Sequence, residues 1–197
     1  MGQMNNLISL IIPCYNEEES IPVLHEELCR VSRELLDYEF EFLFIDDGSS
    51  DRTIDVIRKL TEKDIRVKYY SFSRNFGKEA AMYAGFVNAK GNYVAVMDAD
   101  MQDPPTLLPQ MLKLLENGEY DSVATRRMDR SGEPKVRSFF AKMFYGIINR
   151  ISDADIMDGA RDFRLMKRDM VNAILAMSEY NRFSKGIFGW IGFKTYW

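Results

Sequence analysis

The sequence is poor in the residues from which several kinds of site are built. It has one histidine, His25, so neither a multi-histidine zinc centre nor a Ser-His-Asp triad has much to draw on. Its two cysteines, Cys14 and Cys29, are too few for a disulfide framework, and a reducing cytosol is the simplest compartment. There is no basic excess: 26 Lys and Arg stand against 30 Asp and Glu, a net charge of −4, which gives no support to a nucleic-acid binder. No run of about 18 apolar residues reads as a membrane span. The N-terminus has no basic segment followed by an apolar run and a cleavage site, so secretion is not indicated. Internal repeats and low-complexity stretches are also missing. What is present is an ordinary globular composition over 197 residues, 46% hydrophobic and 28% charged, which suits one domain.

The first half alternates between strand and helix patterns. Strands are expected at Leu7 to Ile12, Glu41 to Ile45, Val67 to Phe72, Tyr93 to Met97 and Tyr120 to Ala124. Helices are expected at Ser20 to Leu36, Thr53 to Leu60, Lys78 to Ala89 and Thr106 to Leu115. Ser20 reads as an N-cap with Pro22 in the first turn, and Asp51 as the cap of the second helix. This alternation argues an α/β fold with a mostly parallel sheet and helices on both faces. Later, Met128 to Pro134 reads as a mobile loop, Lys135 to Ile151 as an aromatic-rich amphipathic helix, Asp162 to Met166 as a strand and Asp169 to Met177 as a helix. Ligands of parallel α/β sheets bind outside the carboxyl ends of the strands. The polar segments at those ends are Pro13 to Glu17, Asp46 to Asp51, Ser73 to Lys78 and Asp98 to Asp103.

The sharpest of them is Asp98-Ala99-Asp100 with Gln102 and Asp103. Two carboxylates at i and i+2 with an amide oxygen nearby hold a hard divalent cation, Mg2+ or Mn2+, that also takes phosphate oxygens. The plainer alternative is a capped turn. Asp46 and Asp47 offer acceptors for a base N–H or a ribose hydroxyl, against an ordinary strand-turn-helix link. Tyr15 offers a ring to stack on a base, and Glu17 either contacts the nucleotide or favours the helix N-terminus. Arg74 and Lys78 flank a glycine before a helix, a setting that attracts phosphate. His25 reads as a partly exposed helical residue. Arg126, Arg127, Arg130, Lys135, Arg137, Lys142 and Arg150 reverse the local charge and interleave with aromatics. That combination suits an anionic membrane surface, or else a core helix with a solvated face.

Together these segments resemble family-2 inverting glycosyltransferases of the GT-A fold, in particular the polyprenyl-phosphate glycosyltransferase branch, which includes dolichol-phosphate mannose synthase. The matching stretches are IPCYNEEESI at 12–21, FIDDGSSDRT at 44–53 and the block from Ser73 to Pro105. RRMDRSGE at 126–133, DFRLMKR at 162–168 and FSKGIFGWIGF at 183–193 continue the match. The resemblance implies a UDP- or GDP-sugar donor, a polyprenyl-phosphate acceptor and a place at the cytoplasmic face of a membrane. It implies that Asp98, Asp100 and Gln102 hold the metal. Pro13, Tyr15, Glu17, Asp46 and Asp47 form the nucleoside pocket, and Arg126 and Arg164 bind phosphate. It further implies one GT-A domain over 1–197, with a nucleotide-sugar half at 1–125 and an acceptor- and membrane-proximal half at 126–197. Members usually continue past the region of Trp190 to Phe193 into further helices, so the chain is expected to be the front part of a longer protein.

Two other readings stay open. In one, the acceptor is a sugar hydroxyl of a surface polysaccharide and Asp162 is the general base. The flanking arginines, Arg161 and Arg164, are expected to lower the pKa of Asp162, which favours a phosphate acceptor that needs no base. In the other, the chain is a noncatalytic nucleotide-sugar-binding module.

Overall fold

The computed structural model describes residues 6–126, 159–177 and 182–197. The loop expected at Met128 to Pro134 and the amphipathic helix expected at Lys135 to Ile151 lie outside the described residues. Among the described residues a seven-stranded sheet runs in the order β3-β2-β1-β4-β6-β5-β7. The strands are β1 (Leu7–Cys14), β2 (Glu39–Asp46), β3 (Val67–Ser71), β4 (Tyr93–Val96), β5 (Ser122–Arg126), β6 (Ala160–Lys167) and β7 (Thr195–Tyr196). The helices are α1 (Ser20–Ser32), α2 (Thr53–Thr61), α3 (Lys78–Asn88), α4 (Leu108–Glu116), α5 (Arg168–Ala176) and α6 (Ser184–Trp190). Among the described residues no helix is long and apolar enough to cross a membrane.

β1 and β2 are interior strands, largely apolar on both faces, as a strand covered by helices on each side must be. One layer packs α1, α2 and α4 on Leu10, Ile12, Phe42, Phe44 and Leu165. The other packs α3, α5 and α6 on Ile11, Leu43, Ile45, Val96 and Met166. Phe42 and Phe44 are fully buried, which stabilises the fold by roughly 1.5–3 kcal/mol each. Gly85 lets α3 lie directly on β1, since a Cβ there would come within 2.2 Å of Ile11 Cγ2. This close approach brings the N-terminus of α3, and so Lys78, to the carboxyl end of β1.

β1, β2, β3 and β4 are mutually parallel. The chain builds outward from β1 through β2 to β3, then crosses over α3 to β4 on the other side of β1. That reversal opens a crevice at the carboxyl ends of β1 and β4. β6 inserts antiparallel between β4 and β5.

Three local expectations are corrected. α1 ends at Ser32, not Leu36: Glu34 N–H donates to Val31 O and Leu35 N–H to Ser32 O, a tightened last turn, and Leu36 is left exposed. Ser20 is the first helical residue and makes no cap bond, because its hydroxyl donates to Glu17 Oε2 at 2.5 Å. Asp51 stands one residue before the cap position of α2, yet its carboxylate accepts the N–H groups of Thr53 (2.9 Å) and Glu18 (3.2 Å), joining two loops.

Candidate active site

The loops after β1, β2, β3 and β4 meet around a cleft of about 320 Å³. Pro13, Tyr15, Glu17, Asp47, Lys78, Asp98 and Asp100 all line it, joined by Asn75 and Gly77. The rim is built by backbone that few residues adopt. Asn16 (φ 57°) and Met101 (φ 57°) are left-handed non-glycine residues. Asn16 is held by its neighbours: its N–H donates to Ser49 Oγ (2.9 Å) and its Oδ1 accepts the Ser50 N–H (2.9 Å). Gly48 (φ +69°) passes so close to the β3–α3 loop that a Cβ would sit 2.4 Å from the Arg74 carbonyl carbon.

The two neighbouring aspartates of β2 and its turn do different things. Asp47 accepts the N–H groups of Phe76 (2.7 Å) and Gly77 (2.9 Å), fixing the start of α3 at the cleft wall. Asp46 is not brought to the cleft. It is buried and accepts the Ser49 N–H (3.1 Å) and the Ser71 hydroxyl (2.7 Å), so its place is beneath the turn. Successive strand residues face opposite sides, and this alternation separates the pair.

Lys78 bridges two carboxylates, Asp98 of the β4 loop and Asp162 of β6. Burial alone would lower its pKa, but the hydrogen bonds and charges of Asp162 and Asp98 raise it above the ordinary lysine value. Lys185 of α6 approaches Asp162 from the other side at 3.7 Å and donates to Ala160 O at 3.0 Å. Burial would raise the Asp162 carboxyl, but Lys78 and then Lys185 outweigh it and hold it below the usual range. The expected direction holds, but the cause is two lysines and not the flanking arginines. Arg161 points to the other loop instead, with Nε 3.5 Å from Asp103 Oδ1 and Nη1 3.4 Å from the Gln102 amide oxygen.

Around Asp98 the loop carries unbalanced negative charge. The Asp103 carboxyl is pushed up by burial, with the Asp98 and Asp100 charges adding and Arg161 opposing. Asp100 Oδ1 accepts the Gln102 N–H at 3.1 Å and its side chain stays exposed. Oxygen donors on one cleft wall, with a lysine cation already resting on Asp98, fit a hard divalent ion in donor chemistry.

Arg164 is not on the cleft wall. It shares a face of β6 with Asp162 but lies two residues, roughly 6–7 Å, further along the strand. There it is 3% exposed, donates to Ser122 Oγ (2.9 Å) and Thr195 Oγ1 (3.2 Å), and lies 4.5 Å from the Phe188 ring centre. Its Nε has no hydrogen-bond partner among the described residues. Burial pushes its pKa down to about 10, against the opposing charge of Asp162. Arg126 is exposed at the end of β5 and is not among the residues lining the cleft.

Sequence reasoning did not single out Lys185 or Glu79. The Glu79 carboxylate accepts the Ser184 N–H (3.1 Å) and hydroxyl (2.8 Å), so the first residues of α3 secure the first turn of α6. Both contacts join residues far apart in the chain, and no local pattern announces them.

A carboxylate-rich cleft at the switch point of a mostly parallel sheet lies where α/β folds of this type bind their ligands. The chain belongs to glycosyl transferase family 2, whose model matches residues 9–175. It is 50% identical over 187 residues to the "Putative glycosyltransferase CsbB" of Bacillus subtilis (strain 168), covering 95% of this chain and 56% of that protein. It is 43% identical over 188 residues to the "Prophage bactoprenol glucosyl transferase homolog" of Escherichia coli (strain K12), covering 95% of this chain and 61% of that protein. The chain thus spans somewhat over half the length of these relatives. Among solved structures, the mannosyltransferase PcManGT from Pyrobaculum calidifontis, in complex with GDP-Man and Mn2+, superposes with a TM-score of 0.63 at 19% identity. The match covers 97% of this chain and 54% of that one. The fold is therefore GT-A, as the sequence resemblance implied.

Proposed function

We propose that the chain is the catalytic domain of a metal-dependent inverting glycosyltransferase. It moves a sugar from a UDP- or GDP-linked donor to a polyprenyl phosphate at the cytoplasmic face of a membrane. The observation that carries this reading is the convergence of Tyr15, Glu17, Asp47, Lys78, Asp98 and Asp100 on one cleft at the carboxyl ends of β1 and β4. The bactoprenol named for the relative at 43% identity supports the lipid-phosphate acceptor. The Mn2+ bound by the superposed mannosyltransferase supports the metal.

In this reading Pro13, Tyr15 and Glu17 shape the nucleoside end, with the half-exposed Tyr15 ring free to stack on a base. Asp98 and Asp100, with Gln102 beside them, hold Mg2+ or Mn2+, which supplies positive charge to the departing diphosphate. Lys78 adds a second cation there and keeps Asp98 oriented. Arg126, exposed at the end of β5, meets a phosphate. Asp46 and Arg164 act from beneath by holding the turn and the β5–β6–β7 edge. The whole forms one domain, with residues 1–125 on the donor side and 126–197 on the acceptor and membrane side.

One observation weighs the acceptor. A hydroxyl needs a base to remove its proton, and Asp162, clamped by Lys78 and Lys185 and held below its usual pKa, is a poor one. A phosphate is already ionised near neutral pH. Its oxygen attacks the anomeric carbon in line, and the nucleoside diphosphate leaves without proton transfer.

Calorimetry of UDP- and GDP-sugars with Mn2+ present, followed by product analysis with a short polyprenyl phosphate and a sugar-hydroxyl acceptor, tests this. Metal-dependent donor binding and a glycosyl-phosphate product are expected. Transfer to the hydroxyl alone would sink the acceptor assignment. No donor binding in the presence of metal would sink the enzyme assignment.

A further inference from the structure

Away from the cleft, one cluster gathers three metal-ligating side chains of different chemistry. His25 and Cys29 lie four residues apart on α1 and so share a helix face. Asp64 reaches them from the turn between α2 and β3, at the amino end of β3, whereas the cleft lies at the carboxyl ends of the strands. His25 Nε2 is 2.9 Å from Asp64 Oδ2 and 3.5 Å from Cys29 Sγ, and Cys29 Sγ is 3.6 Å from Asp64 Oδ2. A tetrahedral zinc ion with bonds of about 2.0–2.3 Å keeps its donor atoms about 3.3–3.6 Å apart. Two of the three separations match, and the third needs the Asp64 oxygen to move by roughly 0.4 Å to meet that geometry.

The surroundings suit a shallow site. The side chains of His25 and Asp64 are 15% and 12% exposed, so a water can take a fourth position. Arg66 rims the cluster. Its Nη2 donates to Cys29 Sγ (3.0 Å) and Asp64 Oδ2 (2.8 Å), its Nε to Asp64 Oδ1 (2.9 Å) and its Nη1 to Ser32 Oγ (2.8 Å). Its guanidinium also lies 4.8 Å from the Phe42 ring centre. Nη2 and a metal ion compete for the same lone pairs. The other bonds of Arg66 keep it alongside as an outer-shell donor to the carboxylate. Imidazole and thiolate select a zinc-type ion, while the oxygen donors of the cleft suit Mg2+ or Mn2+.

We propose that His25, Cys29 and Asp64 form a second metal site, for a borderline-soft divalent transition ion of the zinc class. Cys29 binds as the thiolate and releases its proton to solvent. This inference does not rest on the transferase reading, since none of its residues lines the cleft.

Cobalt(II) serves as the probe. Titrated into the purified chain under reducing conditions, it is expected to give a thiolate-to-metal band in the near ultraviolet and visible bands of a tetrahedral ion, saturating at one equivalent. Zn2+ displaces it and excess Mg2+ does not. Cys29→Ser is expected to abolish the thiolate band. His25→Gln, at a partly exposed helix position, is expected to keep the fold and weaken binding by at least about 10–100-fold, the scale of losing even an outer-shell partner. Circular dichroism checks that each variant is folded. A chain without the thiolate band, a band that survives Cys29→Ser, or an affinity unmoved by His25→Gln would each overturn the site and leave the cluster as the ion-pair network of Arg66.

Discussion

Glu41 and Asp98 each sit beside a lysine, but at opposite ends of the central strands. Glu41, near the amino end of β2, has a side chain only 3% exposed. It accepts bonds from Ser9 Oγ (2.6 Å), Lys68 Nζ (2.7 Å) and the Lys90 N–H (2.7 Å). Asp98, after β4, is 39% exposed and faces the cleft beside Lys78. The first carboxylate is dry and committed, so it ties β1, β2, β3 and the start of β4 together. The second is wet, and its partner can be exchanged for another cation at little cost in folding. Charge of the same kind is architecture at one end of the sheet and, in the proposed function, chemistry at the other.

That contrast breaks first at the cleft. Asp100→Asn removes a charge from the proposed ion site while leaving the core untouched. Donor turnover is expected to fall by roughly 10²–10³, with the melting temperature nearly unchanged. Steady-state kinetics beside a thermal melt check both halves, and a large drop in melting temperature would erase the distinction between the two ends.

Glu41→Ala should do the reverse, costing about 2–4 kcal/mol of stability by leaving the groups around it without their acceptor. Donor affinity should be retained. Urea unfolding measures the first and calorimetry the second. A pH series sharpens the point. Burial raises the Glu41 carboxyl, but the bonds from Lys68, Ser9 and the Lys90 N–H win and hold it below its ordinary value. Its contribution is therefore fully present above the unfolded glutamate pKa of about 4.3 and is lost as pH falls through the lower folded value. Glu41→Gln should flatten that part of the acid limb.

Arg164→Lys tests a residue placed between the two regions. If it serves the β5–β6–β7 edge, as its bonds to Ser122 and Thr195 indicate, the urea midpoint should drop by about 1–2 kcal/mol equivalent with donor affinity unchanged. Loss of donor affinity with intact stability would return it to the phosphate site. The smallest effect is expected at Arg52→Ala. Its pair with Glu18 at 3.0 Å is exposed on the arginine side, so stability should move by no more than about 0.5 kcal/mol.

Much of this arrangement was legible beforehand, for identifiable reasons. The strand-helix alternation is a short-range pattern, and a parallel α/β sheet places its functional loops at known strand ends. The order of elements pointed to the loops that carry Pro13, Tyr15, Glu17, Asp47, Lys78, Asp98 and Asp100, residue chemistry and the family resemblance singled these residues out, and the structure sets them around one cleft. Asp46 escaped because strand residues alternate faces, and Arg164 because it lies too far along β6 from the cleft. Which face meets the cleft, and how far along the strand the cleft extends, depends on packing against α3 and α6.

Hydrophobic periodicity and turn chemistry act within a few residues, so the sequence by itself determined the α/β class, most element positions and the loops that carry polar side chains. The antiparallel insertion of β6 between β4 and β5, the clamp of Lys78 and Lys185 on Asp162, and the meeting of His25 and Cys29 with Asp64 were decided only by the tertiary structure. Each joins segments far apart in the chain, through backbone pairing for β6 and through side-chain contacts for the other two. Such contacts exist only once the helices have docked on the sheet and excluded water from between them.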